Sequence, residues 1–154
     1  MKKLTPLFIS CLLAFGSAAC QNPAKTSADA PDNVNEVVAT APSKDTTETT
    51  KDDAQSEIRR RQLNADIRAR EQRNNLAGGG TNRTKGDLQS EVRSKLEANI
   101  PNGLLAVEAT DDGTVTVTGT VPVAAQLDKI EPLSKEIKGV NNVIVKATVA
   151  KPKN

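Results

Sequence analysis

Two cysteines, Cys11 and Cys20, are the only thiols in this 154-residue chain, and histidine is absent. Together these facts remove most site chemistry. Zinc, copper and haem sites draw on clusters of His and Cys, and nucleophilic triads need a general base beside the attacking group. Asp/Glu/Lys chemistry is open by composition, yet the adjacent carboxylates Asp111 and Asp112 stand directly before Gly113, the layout of a turn. No paired constellation argues for catalysis. The expectation is a protein without enzymatic activity, cofactor, metal or small-molecule substrate. Two features remain: Cys20, directly after a run of small residues, and six arginines, Arg59, Arg60, Arg61, Arg68, Arg70 and Arg73, which suit anionic ligands.

Cys20 sits at the end of an export-type segment. Lys2 and Lys3 make a positive start, Leu4 to Phe15 are mostly apolar, and Gly16-Ser17-Ala18-Ala19 are small, the order of a secretory signal over residues 1–19. The apolar run is short for a bilayer span, and Pro6 weakens it as a helix. Small residues directly before a cysteine resemble the lipobox of bacterial lipoproteins. The resemblance implies that Cys20 receives diacylglycerol, becomes the mature N-terminus and is acylated again. Ser17 stands where that family more often has Leu, and ordinary signal cleavage at the same bond, through Ser17 and Ala19, is the rival reading. Two or three acyl chains anchor lastingly, since each buried methylene contributes roughly 0.8 kcal/mol while one chain is marginal. The expected location is the cell envelope, facing the periplasm. Gln21 rather than Asp follows Cys20, which resembles an outer-membrane address and favours that membrane over the plasma membrane. Cleavage leaves a chain without aromatic residues, and a thioether at Cys20 leaves no thiol for a disulfide.

Charge is segregated along the mature chain, and the segregation marks its parts. Residues 20–53 carry seven acids against Lys25, Lys44 and Lys51. They are rich in Ala, Thr, Ser, Asp, Asn and Pro, with Val34, Val37 and Val38 as the only large apolar residues, and read as a disordered tether with a reach of about 30 Å. Residues 54–85 carry eight cations against Glu57, Asp66 and Glu71. Within them, 54–75 is rich in helix formers. Ile58, Ala65 and Ala69 share one side of a helical wheel, while Leu63 and Ile67 lie almost opposite, so no single apolar face results. The segment reads as a charged helix or spacer, or as a cationic strip for anionic lipid headgroups, where each basic residue contributes about 1 kcal/mol, falling with salt. Nucleic acid is not expected, because the chain lacks aromatic stacking surfaces. Residues 76–85 contain Gly78-Gly79-Gly80 and read as a hinge. Asn82-Arg83-Thr84 spells a sequon, taken as a chance tripeptide.

From residue 86 the pattern becomes that of a folded module. Asp87 is placed to cap a helix in which Leu88, Val92, Leu96 and Ile100 recur every four residues, and Pro101-Asn102-Gly103 stops it. Leu105, Val107 and Ala109 alternate with polar or small residues, Asp111-Asp112-Gly113 turns the chain, and Thr114 to Thr118 alternates again, which predicts a hairpin. Val123, Leu127, Ile130, Leu133 and Ile137 make a stripe about 120° wide over a second helix, 123–138. Pro132 should kink or divide it, and Gly139 is its natural stop. Val143, Val145, Ala147 and Val149 alternate as a third strand. The expected fold is α+β: one small αββαβ domain over 86–150, two helices on one face of a three-stranded sheet, followed by the tail 151–154.

Asp87-Leu88 through Val92 and Leu96, then Gly113-Thr114-Val115-Thr116-Val117-Thr118-Gly119-Thr120-Val121, then Gly139-Val140-Asn141-Asn142-Val143 resemble the BON domain, named for bacterial osmotic-shock and nodulation proteins. The resemblance implies the αββαβ order, a place in the bacterial envelope, and non-catalytic binding to phospholipid surfaces or envelope partners. It carries Gly113, Gly119, Gly139 and Val140 over as structural residues. Gly113 suits positive φ in the turn, Gly119 lies in the register of Val115 and Val117 and would let a helix approach, and Gly139 would close the second helix. Many relatives carry two such domains, and this chain has one, without the avidity of a pair. The leading reading is a lipid-anchored envelope protein that binds anionic membrane phospholipid and supports envelope integrity under stress. The alternative is an adaptor that docks an envelope protein, with lipid serving only as anchor.

Overall fold

A computed structural model describes residues 22–36, 41–80 and 83–153. The signal segment and Cys20 lie outside the described residues. Along the chain the elements are β1 (Ala24–Lys25), α1 (Lys44–Gln55), α2 (Glu57–Leu76), α3 (Lys85–Asn99), β2 (Leu104–Ala109), β3 (Thr114–Val121), α4 (Ala124–Lys135), β4 (Asn142–Val145) and β5 (Thr148–Val149).

The four-residue recurrence in α3 does what such a stripe must in water: it turns one side inward. Leu88, Val92, Leu96 and Ile100 are buried against Leu105, Val107 and Ala109 of β2, Val115, Val117 and Val121 of β3, and Ile130, Ile137 and Ala147. Every side chain in this core is aliphatic, so its cohesion rests on removal of apolar surface from water, about 25 cal/mol per Å². β2 and β3 pair antiparallel from Leu104↔Thr120 to Ala109↔Val115. β3 then pairs parallel with β4, Val115 opposite Val143 and Val117 opposite Val145. Parallel neighbours need a crossover, and α4 supplies it on the face already covered by α3. The α+β class and the helix–strand–strand–helix–strand order are as expected.

The details depart from expectation where local pattern is a weak guide. Thr84, not Asp87, caps α3: its hydroxyl accepts from the Asp87 amide at 3.2 Å, while Asp87 sits in the first turn, where a carboxylate favours the helix dipole. The hinge is therefore shorter than 76–85, since α2 runs through Leu76 and Thr84 belongs to the folded module. Pro132 lies inside α4 without dividing it. Its ring is on the exposed side, where water can satisfy the carbonyl that loses its partner. Gly139 does not close α4, which ends at Lys135. A tighter turn follows, Ile137 N–H to Ser134 O at 3.2 Å and Val140 N–H to Ile137 O at 3.1 Å, and it carries Ile137 into the core.

The third strand divides into β4 and β5, both paired with β3. Alternation holds as far as buried Ala147 and then fails, leaving Val149 exposed. With β1 the sheet has five strands, in the order β1-β2-β3-β4, with β5 beside β3.

The tether reading of 20–53 is overturned for its described residues. β1 pairs antiparallel with β2, Ala24 opposite Val107, and the Thr26 hydroxyl donates to Gly103 O and accepts from Leu105 N–H, both at 2.9 Å. Residues 26–36 then fold across the second face of the sheet, where Val34 and Asn35 line a cavity of about 170 Å³ with Thr118, Gly119 and Lys146. Ala30 and Val34 are buried, as are Thr47 and Ala54 of α1. The segment is too poor in apolar residues to build a core, yet it needs none, because it covers surface that the module already offers.

Candidate functional site

The arginine-rich segment forms α2 because Arg, Gln, Glu and Ala are good helix formers. Ser56 starts it by accepting from the Arg59 amide at 3.2 Å. Leu63 is 1% exposed, and around it α2 lies along α3 through charge. Arg59 grips Glu97 with two nitrogens, at 2.5 and 3.0 Å, and Arg93 reaches the same carboxylate at 2.8 Å. Arg70 donates to Asp66 at 2.9 Å and to Asp87 at 2.7 Å, and Arg73 reaches Asp87 at 3.2 Å. The second oxygen of Asp66 accepts from the hydroxyls of Ser90 and Ser94, each at 3.0 Å.

The titration of these groups follows from the contacts. Burial alone would push the Asp66 carboxyl up, but the hydrogen bonds from Arg70, Ser90 and Ser94 outweigh it and hold it below the ordinary carboxylate range. Asp87 behaves alike: burial is outweighed by Arg70, Thr84 and Arg73. The hydrogen bond to Glu97 raises Arg59.

The six candidate arginines are thus divided by the fold. Arg59, Arg70 and Arg73 point to carboxylates on or beside α3. Arg60, Arg61 and Arg68 are exposed; Arg61 pairs with Glu57 on its own helix, and Arg60 and Arg68 have no carboxylate partner among the described residues. Two large apolar side chains on the same helix are also exposed, Ile58 at 72% and Leu76 at 89%.

The structural glycines have clear roles. Gly113 has φ +82°, and a Cβ there would collide with Gly139 O, while Asn141 donates to Asp112 O at 2.6 Å and locks the two loops together. Gly119 admits a neighbouring strand rather than a helix: at φ +122° its Cβ would fall onto Leu104 O of β2. Val140 packs at the edge of the core. Asp112 serves the turn, its carboxyl held low by hydrogen bonds from Thr110 and Thr114.

One pair escaped sequence reasoning. Arg83, read as part of the hinge, is buried with Glu91, both side chains 1% exposed, and also donates to Lys138 O at 3.3 Å. Burial pushes the Arg83 guanidinium down. The signal was present at Glu91, a carboxylate between Leu88 and Val92 of the apolar stripe, which burial obliges to find a partner.

Among the described residues no group of three His, Cys, Asp or Glu side chains is placed to hold a metal ion, and no helix is long and apolar enough to cross a membrane. A cleft of about 660 Å³ mixes Lys25 and Arg59 with Asp29, Asp53 and hydroxyls of Thr46 and Thr50, so it favours neither sign of charge.

No curated protein and no solved structure matches the chain. The family model for the BON domain matches residues 84–151, starting at the cap of α3 and ending past β5. BON domains are binding-type domains of envelope proteins, associated with phospholipid. With the helix–strand–strand–helix–strand order and the turn glycines in place, residues 84–151 form a domain of the BON family, and α1, α2 and the 22–36 segment are built onto it.

Proposed function

We propose that this is a lipid-anchored envelope protein whose BON domain, with the helix α2 docked on it, binds anionic phospholipid surfaces without catalysis and supports envelope integrity under stress. The observation that carries the reading is the division of the arginines: Arg59 and Arg70 are spent in holding α2 to α3, Arg73 joins them while staying 58% exposed, and Arg60, Arg61 and Arg68 are exposed with no partner off their own helix among the described residues. Cys20 would be acylated, in the outer membrane by the Gln21 reading. Cys20 precedes Ala24 by four residues, a span of at most about 14 Å. The anchor would hold the domain close to the bilayer instead of on a long tether, keeping the exposed arginines within reach of headgroups. The adaptor alternative draws on β4, an edge strand of the sheet, where Ile144 is 41% exposed.

The test uses the mature chain carrying Cys20→Ser. It should co-sediment with vesicles containing phosphatidylglycerol at low salt, lose them as ionic strength rises and the Debye length shortens to about 8 Å, and ignore phosphatidylcholine. Indifference to anionic vesicles at low salt would remove the phospholipid reading.

A further inference from the structure

At 100° per residue, Ile58, Ala65, Ala69 and Leu76 fall on one line of α2 about 40° wide and about 27 Å long. Leu63, on the docked side, is some 140° away. Ile58 and Leu76 stand at the two ends of the line, 72% and 89% exposed, with two alanines between them. Arg61 and Arg68 flank it on one side; Arg73, 58% exposed although it donates to Asp87, flanks it on the other. The absence of one apolar face in the sequence of α2 is thus explained by two small ones on opposite sides. One is used by α3, and the other is left in water.

We infer that this outer line of α2 lies in the interface of an anionic bilayer, with Ile58 and Leu76 entering the acyl boundary as two shallow feet and Arg61, Arg68 and Arg73 on headgroup phosphates. The inference rests on the phospholipid reading above and adds the surface and the mode of contact. An apolar line rimmed by arginine is the pattern of helices that lie in the membrane plane. Charge decides the occupant: a second copy of α2 would bring like charges together, whereas an anionic surface complements the flanks. The face is outside the segment that matches the BON domain, so α2 is an addition, held to the domain through Glu97, Asp87 and its own buried Leu63. The line is narrow, so neither charge nor apolar contact suffices alone.

The mature chain lacks aromatic residues, so one introduced tryptophan is its sole intrinsic fluorophore. In the Cys20→Ser chain, Leu76→Trp and Ile58→Trp should emit at shorter wavelength with phosphatidylglycerol vesicles and be quenched by brominated acyl chains. Val123→Trp, at an exposed position before α4, should do neither. The pair Ile58→Ser and Leu76→Ser should weaken vesicle binding about tenfold with an unchanged melt. Vesicle binding that leaves the indole of Ile58→Trp and of Leu76→Trp in water, or that shifts the emission of Val123→Trp instead, overturns this inference and leaves the proposed function standing. A blue shift without vesicles that grows with protein concentration identifies a second copy as the occupant and also overturns it. Failure of every variant and of the parent to bind vesicles overturns both.

Discussion

Helix α3 is held from two sides by opposite chemistries. Toward the sheet it presents Leu88, Val92, Leu96 and Ile100, each at most 1% exposed. Toward α2 it presents Asp87, Ser90, Ser94 and Glu97, which meet Arg59, Arg70, Arg73 and Asp66 around the single buried Leu63. The apolar side loses its driving force only when the fold opens. The polar side exchanges solvation for ion pairs of small net value: the pairs of Asp66 and Asp87, about a quarter exposed, contribute about 0–1 kcal/mol each, and the buried Glu97 sets its attraction to Arg59 and Arg93 against the cost of leaving water. The first side makes the domain, and the second docks an appendage on it.

The largest effect should come from breaking the apolar side. Val117 is 0% exposed in the middle of β3, so Val117→Asp places a carboxylate in a core that offers it no partner. An unpaired buried charge costs several kcal/mol at the least, comparable to the whole stability of a small domain with an aliphatic core. The variant should lack a cooperative thermal transition by circular dichroism. A two-state melt at the parent temperature would show that Val117 does not face the core.

Breaking the polar side should be smaller and local. Leu63→Ala removes the one apolar plug between α2 and α3, and a buried Leu→Ala change costs about 2–5 kcal/mol. The lower end applies, because α2 can shift to close the gap. Amide exchange should accelerate through α2 by more than tenfold while β2 and β3 keep their protection. Equal loss of protection in both regions would mean that α2 is integral to the domain rather than docked on it.

These two sides also differed in how legible they were. The stripe of α3 and the alternation of β2 and β3 are periodic, and periodicity survives without knowledge of partners. So does the turn at Asp112-Gly113. The polar side has no such mark: Arg59, Arg70 and Arg73, which bond to carboxylates, are the same residue type in the same helix as Arg60, Arg61 and Arg68, which face water. Only the third dimension separates them. The same holds for β1, a two-residue strand whose pairing is set by the exposed edge of β2, and for residues 26–36, whose buried Ala30 and Val34 matter because the sheet has an uncovered face. Glu91 was the exception. Its position inside an apolar stripe announced a buried partner, and the sequence held it eight residues upstream in Arg83.

The smallest effect is the sharpest probe of the polar side, because acid acts on it and leaves aliphatic contacts alone. Asp66 and Asp87 have folded-state values below the ordinary 3.8. A depressed carboxylate stabilises the fold fully above its unfolded value and loses that contribution as pH falls through its folded value. Protection of α2 amides should therefore be flat, after correction for intrinsic exchange, from pH 7 to about 5 and decline below about 4. Both side chains are about a quarter exposed, so solvent screens the pairs and the loss should stay near 1 kcal/mol or less for each. Asp87→Asn keeps an oxygen for Arg70 and Arg73 but removes the titrating charge, so it should lower α2 protection at pH 7 and flatten its acid limb. A parent-like acid limb in that variant would assign the pH dependence to other carboxylates and leave Asp87 a cap-proximal residue without a docking role.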